Sequence, residues 1–134
     1  MARLTDIEGI GPAFYDKLKG LGITTTQRLL LVAANKPGRE DLASQTGISE
    51  KMLLKWANLA DLIRVKGIGE GYCELLEAAG VESVVELRKR KADTLHQAMA
   101  HANGKKRLVR RLPSHLDVKR WIKAAQSVTP KVSH

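Results

Sequence analysis

The sequence is short of several things that carry chemistry. One cysteine in 134 residues, Cys73, excludes an internal disulfide and a multi-cysteine zinc site, and it suits a reducing compartment. Aromatic residues make up 4% of the chain, too few to build a platform on which single-stranded bases stack. No stretch approaches the roughly 20 apolar residues of a spanning helix. Residues 1–10 hold charges and no signal-like apolar run, so a cytoplasmic location with no membrane partner is the expectation. Alternating apolar and polar residues are also missing, so strands are not called for. What is present is 43% hydrophobic and 28% charged residues, rich in Leu, Ala, Lys, Arg and Glu, which is a globular and helical composition.

Lys and Arg outnumber Asp and Glu by 23 to 14, a net +9. The excess is not spread evenly. Twelve of the cations and only two of the acids, Asp93 and Asp117, lie between Arg88 and Lys123, a net +10 that leaves the remainder at −1. Within that stretch Lys105 to Arg111 holds five cations in seven residues with no acid among them. Such a segment attracts polyanions, and nucleic acid is the first partner to expect.

Shifting the sequence by 58 positions superimposes it on itself. Gly9-Ile10-Gly11 meets Gly67-Ile68-Gly69, Phe14 meets Tyr72, Leu18 meets Leu76, Gly22 meets Gly80, Ile23 meets Val81 and Leu29 meets Leu87. Lys55-Trp56 matches Arg120-Trp121 once the second copy takes an insertion, for which Lys105 to Arg111 is the natural place. The expected organisation is a first repeat over 1–61, a second over 62–126 with the basic insertion, and a flexible tail over 127–134. Two half-length units would each be marginal, so they are expected to share one compact body.

Each unit reads as an apolar segment, a Gly-Ile-Gly turn and a helix stopped by Gly22 or Gly80. Thr24 or Thr25 and Ser83 are N-cap candidates for the next helices, and Asn35-Lys36-Pro37-Gly38 and Asn103-Gly104 read as breakers. Helices are expected over Arg39 to Gln45, over Glu50 to Arg64 with Ser49 as cap, over Thr94 to Ala102, and from Ser114 to Ala125. Glycines around an isoleucine allow a sharp turn and close approach of backbone N–H groups to a phosphate, aided by the helix that follows. Pro12 suits the first turn of that helix.

These residues resemble helix-hairpin-helix motifs, over Leu4 to Ile23 and over Ile63 to Val81. Such modules hold DNA backbones without reading sequence in many repair nucleases, ligases, Holliday-junction proteins and archaeal recombinases. The first repeat, with Gly47-Ile48-Ser49, is similar to the N-terminal domain of RadA-type recombinases. Residues 4–126, including Leu108 to Pro113 and Trp121, resemble a bacterial domain-of-unknown-function family of tandem helix-hairpin-helix proteins. The resemblance implies an all-α fold and nucleic-acid contact by Gly9, Gly11, Gly67 and Gly69, with a monovalent cation able to sit on hairpin carbonyls. Tyr15 and Cys73 stand where such hairpins usually carry a small residue, and Glu8, Asp16, Glu70 and Glu74 put carboxylates beside the turns.

The function expected is therefore non-sequence-specific binding of nucleic acid, double-stranded or branched DNA foremost, with Lys105, Lys106, Arg107, Arg110 and Arg111 supplying the attraction. The alternative is a protein-interaction adaptor whose hairpins only hold the fold. Pairing of Arg110 and Arg111 with Glu82 or Glu86 in buried ion pairs is a third, structural reading. No enzyme activity is expected: Lys66 and Asp61 lack a base pocket, and Cys73 reads as core filler. His96, His101, His115 and His134 have no ligand-like spacing, so they read as surface residues, and no metal is assigned. Trp56 and Trp121, at matching places, read as core packing.

Overall fold

The computed structural model describes residues 3–7 and 9–133, with the backbone alone at positions 6 and 69–71. Glu8 and His134, and the side chain of Glu70, lie outside the described residues. The protein is all-α. A 3-10 turn at Leu4–Asp6 precedes α1 (Pro12–Lys19), α2 (Thr26–Ala33), α3 (Lys36–Thr46), α4 (Glu50–Ile63), α5 (Gly69–Ala78), α6 (Val84–Lys89), α7 (Ala92–Lys105) and α8 (His115–Gln126). Among the described residues the one extended contact is an isolated bridge between Arg3 and Thr25, and no helix is long and apolar enough to cross a membrane. The chain divides into two compact units, Met1–Asp61 with Lys131–His134, and Leu62–Pro130.

In the first unit Leu4, Ile7 and Ile10 are spaced so that all three side chains of the opening turn are buried. Each such burial contributes about 1.5–3 kcal/mol. The amide of Ile7 donates to Leu4 O (3.0 Å) and that of Ile10 to Ile7 O (3.2 Å). After α1, Ile23 N returns to Leu18 O (3.0 Å), the six-to-one bond that closes a helix with a left-handed glycine, here Gly22 at φ 80°. Thr25 then caps α2 by accepting from Arg28 N.

In the second unit the same bonds recur 58 residues later. Val65 N donates to Leu62 O (3.0 Å), Ile68 N to Val65 O (3.3 Å) and Val81 N to Leu76 O (2.8 Å). Gly80 has φ 95°, and Ser83 caps α6 by accepting from Glu86 N. α8 packs on α6 and α7 and presents Val118, Trp121, Ile122 and Ala125, at helical spacing, as its buried stripe.

Three local expectations need correcting. The chain breaks before Asn35, as expected, but the next helix starts at Lys36 and not at Arg39: the Asn35 side chain accepts from Gly38 N (2.8 Å) and Pro37 lies in the first turn. Asn and Pro are start signals as much as breakers, and a cap partner three residues on decides between the two. α7 runs through Asn103 and Gly104 to Lys105, because the Asn103 side chain serves the loop beyond the helix and leaves its backbone helical.

The tail, expected to be loose, is tied down. Buried Arg39 donates through Nη1 to Ala33 O (2.9 Å) and Ala34 O (3.1 Å), and through Nη2 to Ser133 O (2.6 Å). Ser133 N donates to Ala34 O (2.8 Å), and Lys131 N to Asp61 Oδ2 (3.0 Å). A buried cation needs such partners, and the carbonyl end of α2 is the favourable pole for it.

Candidate functional site

Both glycine turns are built on tryptophan. Gly9 (φ 97°) and Gly67 (φ 96°) are in the left-handed region that favours glycine. A Cβ on Gly9 would stand 3.3 Å from Trp56 Nε1, and one on Gly67 would stand 2.9 Å from Trp121 Nε1. Each indole in turn meets the aromatic residue of the following helix, Phe14 on Trp56 (5.4 Å between centroids, 64°) and Tyr72 on Trp121 (5.1 Å, 46°). Both tryptophans are buried, as expected of packing residues, while Gly9 and Gly67 face solvent. Sequence pairing finds the two tryptophans. It does not show that they form the floor of the turns.

Gly11 differs from its neighbour. Its φ of −83° is ordinary, no side chain caps α1 there, and a Cβ on it would meet nothing within 4 Å. The start of α1 is thus open to solvent, with Pro12 in the first turn. Gly69 opens α5. Tyr15 is half-buried.

The second turn lies in a basic setting within its own unit. A cleft of about 560 Å³ is lined by Lys66, Gly67, Tyr72, Asp117, Arg120 and Trp121. The carboxylate among its described lining residues, Asp117, is engaged in a capping box: Asp117 N donates to Ser114 Oγ and Ser114 N to Asp117 Oδ2, both at 3.0 Å. The bonds from the Ser114 backbone and side chain hold the Asp117 carboxyl below its ordinary value, with smaller help from the positive charges of Arg120 and Arg111.

Lys105, Lys106, Arg107, Arg110 and Arg111 are all exposed. Asn103 organises their loop: its Oδ1 accepts from Leu108 N (2.9 Å) and Val109 N (3.1 Å), and its Nδ2 donates to Val109 O (3.2 Å). Leu108 and Val109 are half-buried, so the cations on either side of them project outward. His96 Nε2 donates to Pro113 O (3.0 Å), and His115 pairs with Asp93, which ties the far end of the loop to α7. Arg110 and Arg111 are not drawn into buried ion pairs with Glu82 or Glu86; the Glu86 carboxylate accepts from Glu82 N.

The remaining candidates have structural places. Cys73 is buried, and desolvation, reinforced by Glu77 and Glu74, pushes its thiol up to about 12, so it holds its proton at neutral pH. Asp61 is buried and accepts from Lys131 N. His96 is half-buried, and His101 and His115 are exposed. No group of three metal-ligating side chains occurs among the described residues.

Sequence reasoning places Lys119, Arg120 and Lys123 in the basic excess but assigns them no role. Their helical spacing with Leu116 is the signal available. The structure puts these three with Arg90 around a second hollow on α8, of about 680 Å³.

Fold and site together define an all-helical protein with paired glycine turns and a basic segment, Arg88 to Lys123, that holds only two carboxylates. The chain belongs to the family described as a domain of unknown function (DUF4332), which it matches over residues 8–128. No curated protein and no solved structure matches it.

Proposed function

We propose that the protein binds nucleic acid, duplex or branched DNA foremost, along its phosphate backbone and without reading sequence. In this reading the two turns are helix-hairpin-helix motifs, related to those of the RadA-type N-terminal domain. The observation that carries it is the cleft beside the exposed Gly67 turn, which Lys66 and Arg120 line together with the glycine itself. Backbone amides position a phosphate at a turn, and guanidinium groups give the attraction and release counterions. Lys105, Lys106, Arg107, Arg110 and Arg111 extend the interface, and Gly9, Gly11 and Gly69 offer further backbone donors.

Gel shift of short duplex DNA across a salt series tests this. For every phosphate that is no longer neutralised, the log–log salt slope should flatten by roughly 0.9. Replacing the five loop cations together by Gln should weaken binding and flatten the slope by several such steps. An unchanged affinity and slope would remove the loop from the interface. The adaptor reading draws on a different observation: the indoles under Gly9 and Gly67 give both glycines a packing reason that needs no ligand. Absence of any shift at low salt would favour it.

A further inference from the structure

The hollow on α8 is unlike the Gly67 cleft. Leu116, Lys119, Arg120 and Lys123 recur at three- and four-residue spacing along one side of α8, and Arg90, Ala92 and Ile122 complete the walls. No carboxylate is among the lining residues described. Ile122 and half-buried Ala92 give it an apolar base, and Leu116 at its rim is 52% exposed. Arg90 is partly committed, its Nη1 reaching Ala79 O at 3.5 Å, while Lys119, Arg120 and Lys123 are exposed. Arg88 shows what a cation with a structural task looks like nearby: it donates to Gln126 O (2.9 Å) at the end of α8.

We infer that this groove docks an acidic amphipathic helix of a protein partner, with an apolar side chain of that helix on Leu116, Ala92 and Ile122 and its carboxylates on Lys119, Arg120 and Lys123. A phosphodiester strand would gain nothing from an exposed leucine and an apolar base. A flat lipid surface would not reach into a depression. A helix with leucine flanked by glutamates at three- and four-residue spacing meets both the charge and the apolar surface. Arg120 borders both this groove and the Gly67 cleft, and Leu116, which takes no part in the nucleic-acid interface, separates the two readings.

The test uses the full chain and three probes: a fluorescent glutamate-rich helical peptide with leucines at three- and four-residue spacing, the same peptide with serine in place of leucine, and a short duplex DNA. The leucine peptide should bind and the serine peptide should bind roughly tenfold more weakly or worse, since burying one leucine is worth about that factor. Leu116→Ser should weaken the leucine peptide by a similar factor and leave the DNA shift unchanged. Lys119→Gln with Lys123→Gln should weaken the leucine peptide as well, and circular dichroism confirms that both variants are folded. Equal binding of the two peptides, or a Leu116→Ser variant that keeps the peptide or loses DNA in parallel, overturns the inference. So does binding to anionic phosphatidylserine vesicles in preference to the leucine peptide.

Discussion

Trp121 Nε1 lies where a side chain on Gly67 would have to go, 2.9 Å from the position of its Cβ, and its Cδ1 is only 3.2 Å away. The glycine is required twice over, by this contact and by its left-handed φ of 96°. Gly67→Ala adds strain at the backbone, about 1–2 kcal/mol, to overpacking against a buried indole, about 1–3 kcal/mol. At Gly9 the corresponding gap is 3.3 Å, so the backbone cost remains and the steric cost shrinks. Urea denaturation should rank Gly67→Ala as the more destabilising of the two, and the reverse order would show that Trp121 can move aside.

Gly11 separates folding from binding. With an ordinary φ and open space around it, Gly11→Ala should cost only about 0.5–1 kcal/mol in denaturation, the preference for glycine over alanine at an N-cap. If a phosphate sits on the amides at the start of α1, the added methyl stands in its way and DNA affinity should fall several-fold while the melting curve hardly moves. Unchanged affinity would mean that the first turn serves packing alone.

The basic loop depends on Asn103, whose side chain makes three hydrogen bonds to Leu108 and Val109. Asn103→Ala removes them together, and because such bonds do not add fully the loss should be about 1–2 kcal/mol. All five cations remain, so the salt slope of DNA binding should persist while affinity drops through the freedom the loop regains. Hydrogen exchange at the Leu108 and Val109 amides reads the loss of order directly.

Asn103 also shows why part of this structure is legible in sequence and part is not. The 58-residue self-match brings out the turns at Gly9 and Gly67 and the stops at Gly22 and Gly80, and residue type alone offers Thr24 or Thr25 and Ser83 as caps, because each rests on bonds within a few residues. Asn103 and Asn35 carry the same residue type into opposite tasks, one reaching forward over a loop and one opening a helix. Which partner an amide side chain finds is settled by where the backbone goes next, and composition does not encode that. The grouping of Arg90 with α8 cations is likewise a product of packing between segments distant in the chain.

Arg39 gives the C-terminal residues a structural task. Its guanidinium is buried, and one of its three carbonyl partners is Ser133 O. Deleting residues 131–134 withdraws that partner and the bond from Lys131 N to Asp61, leaving the buried Arg39 guanidinium with two of its three carbonyl partners. The expected loss is about 1–3 kcal/mol by urea denaturation. Arg39→Met in the truncated chain should restore part of it by removing the stranded charge, an outcome that a merely disordered tail would not produce.

Asp117 sets a pH dependence whose sign follows from its capping box. Ser114 holds the folded carboxyl below the ordinary aspartate value of 3.8, so folding favours the ionised form. The stabilisation is fully present above the unfolded value and is lost as pH falls through the lower, folded one. Thermal melts taken from neutral pH downward should therefore show an acid limb to which this residue contributes. In Asp117→Asn that contribution disappears and the neutral-pH stability falls, so the gap between variant and parent narrows on acidification. Ser114→Ala should lower stability by about 1 kcal/mol and relax the Asp117 carboxyl upward, visible in a carboxyl NMR titration. Because Asp117 borders the Gly67 cleft, removing its charge should also strengthen DNA binding at fixed salt, giving the variant opposite effects on folding and on affinity.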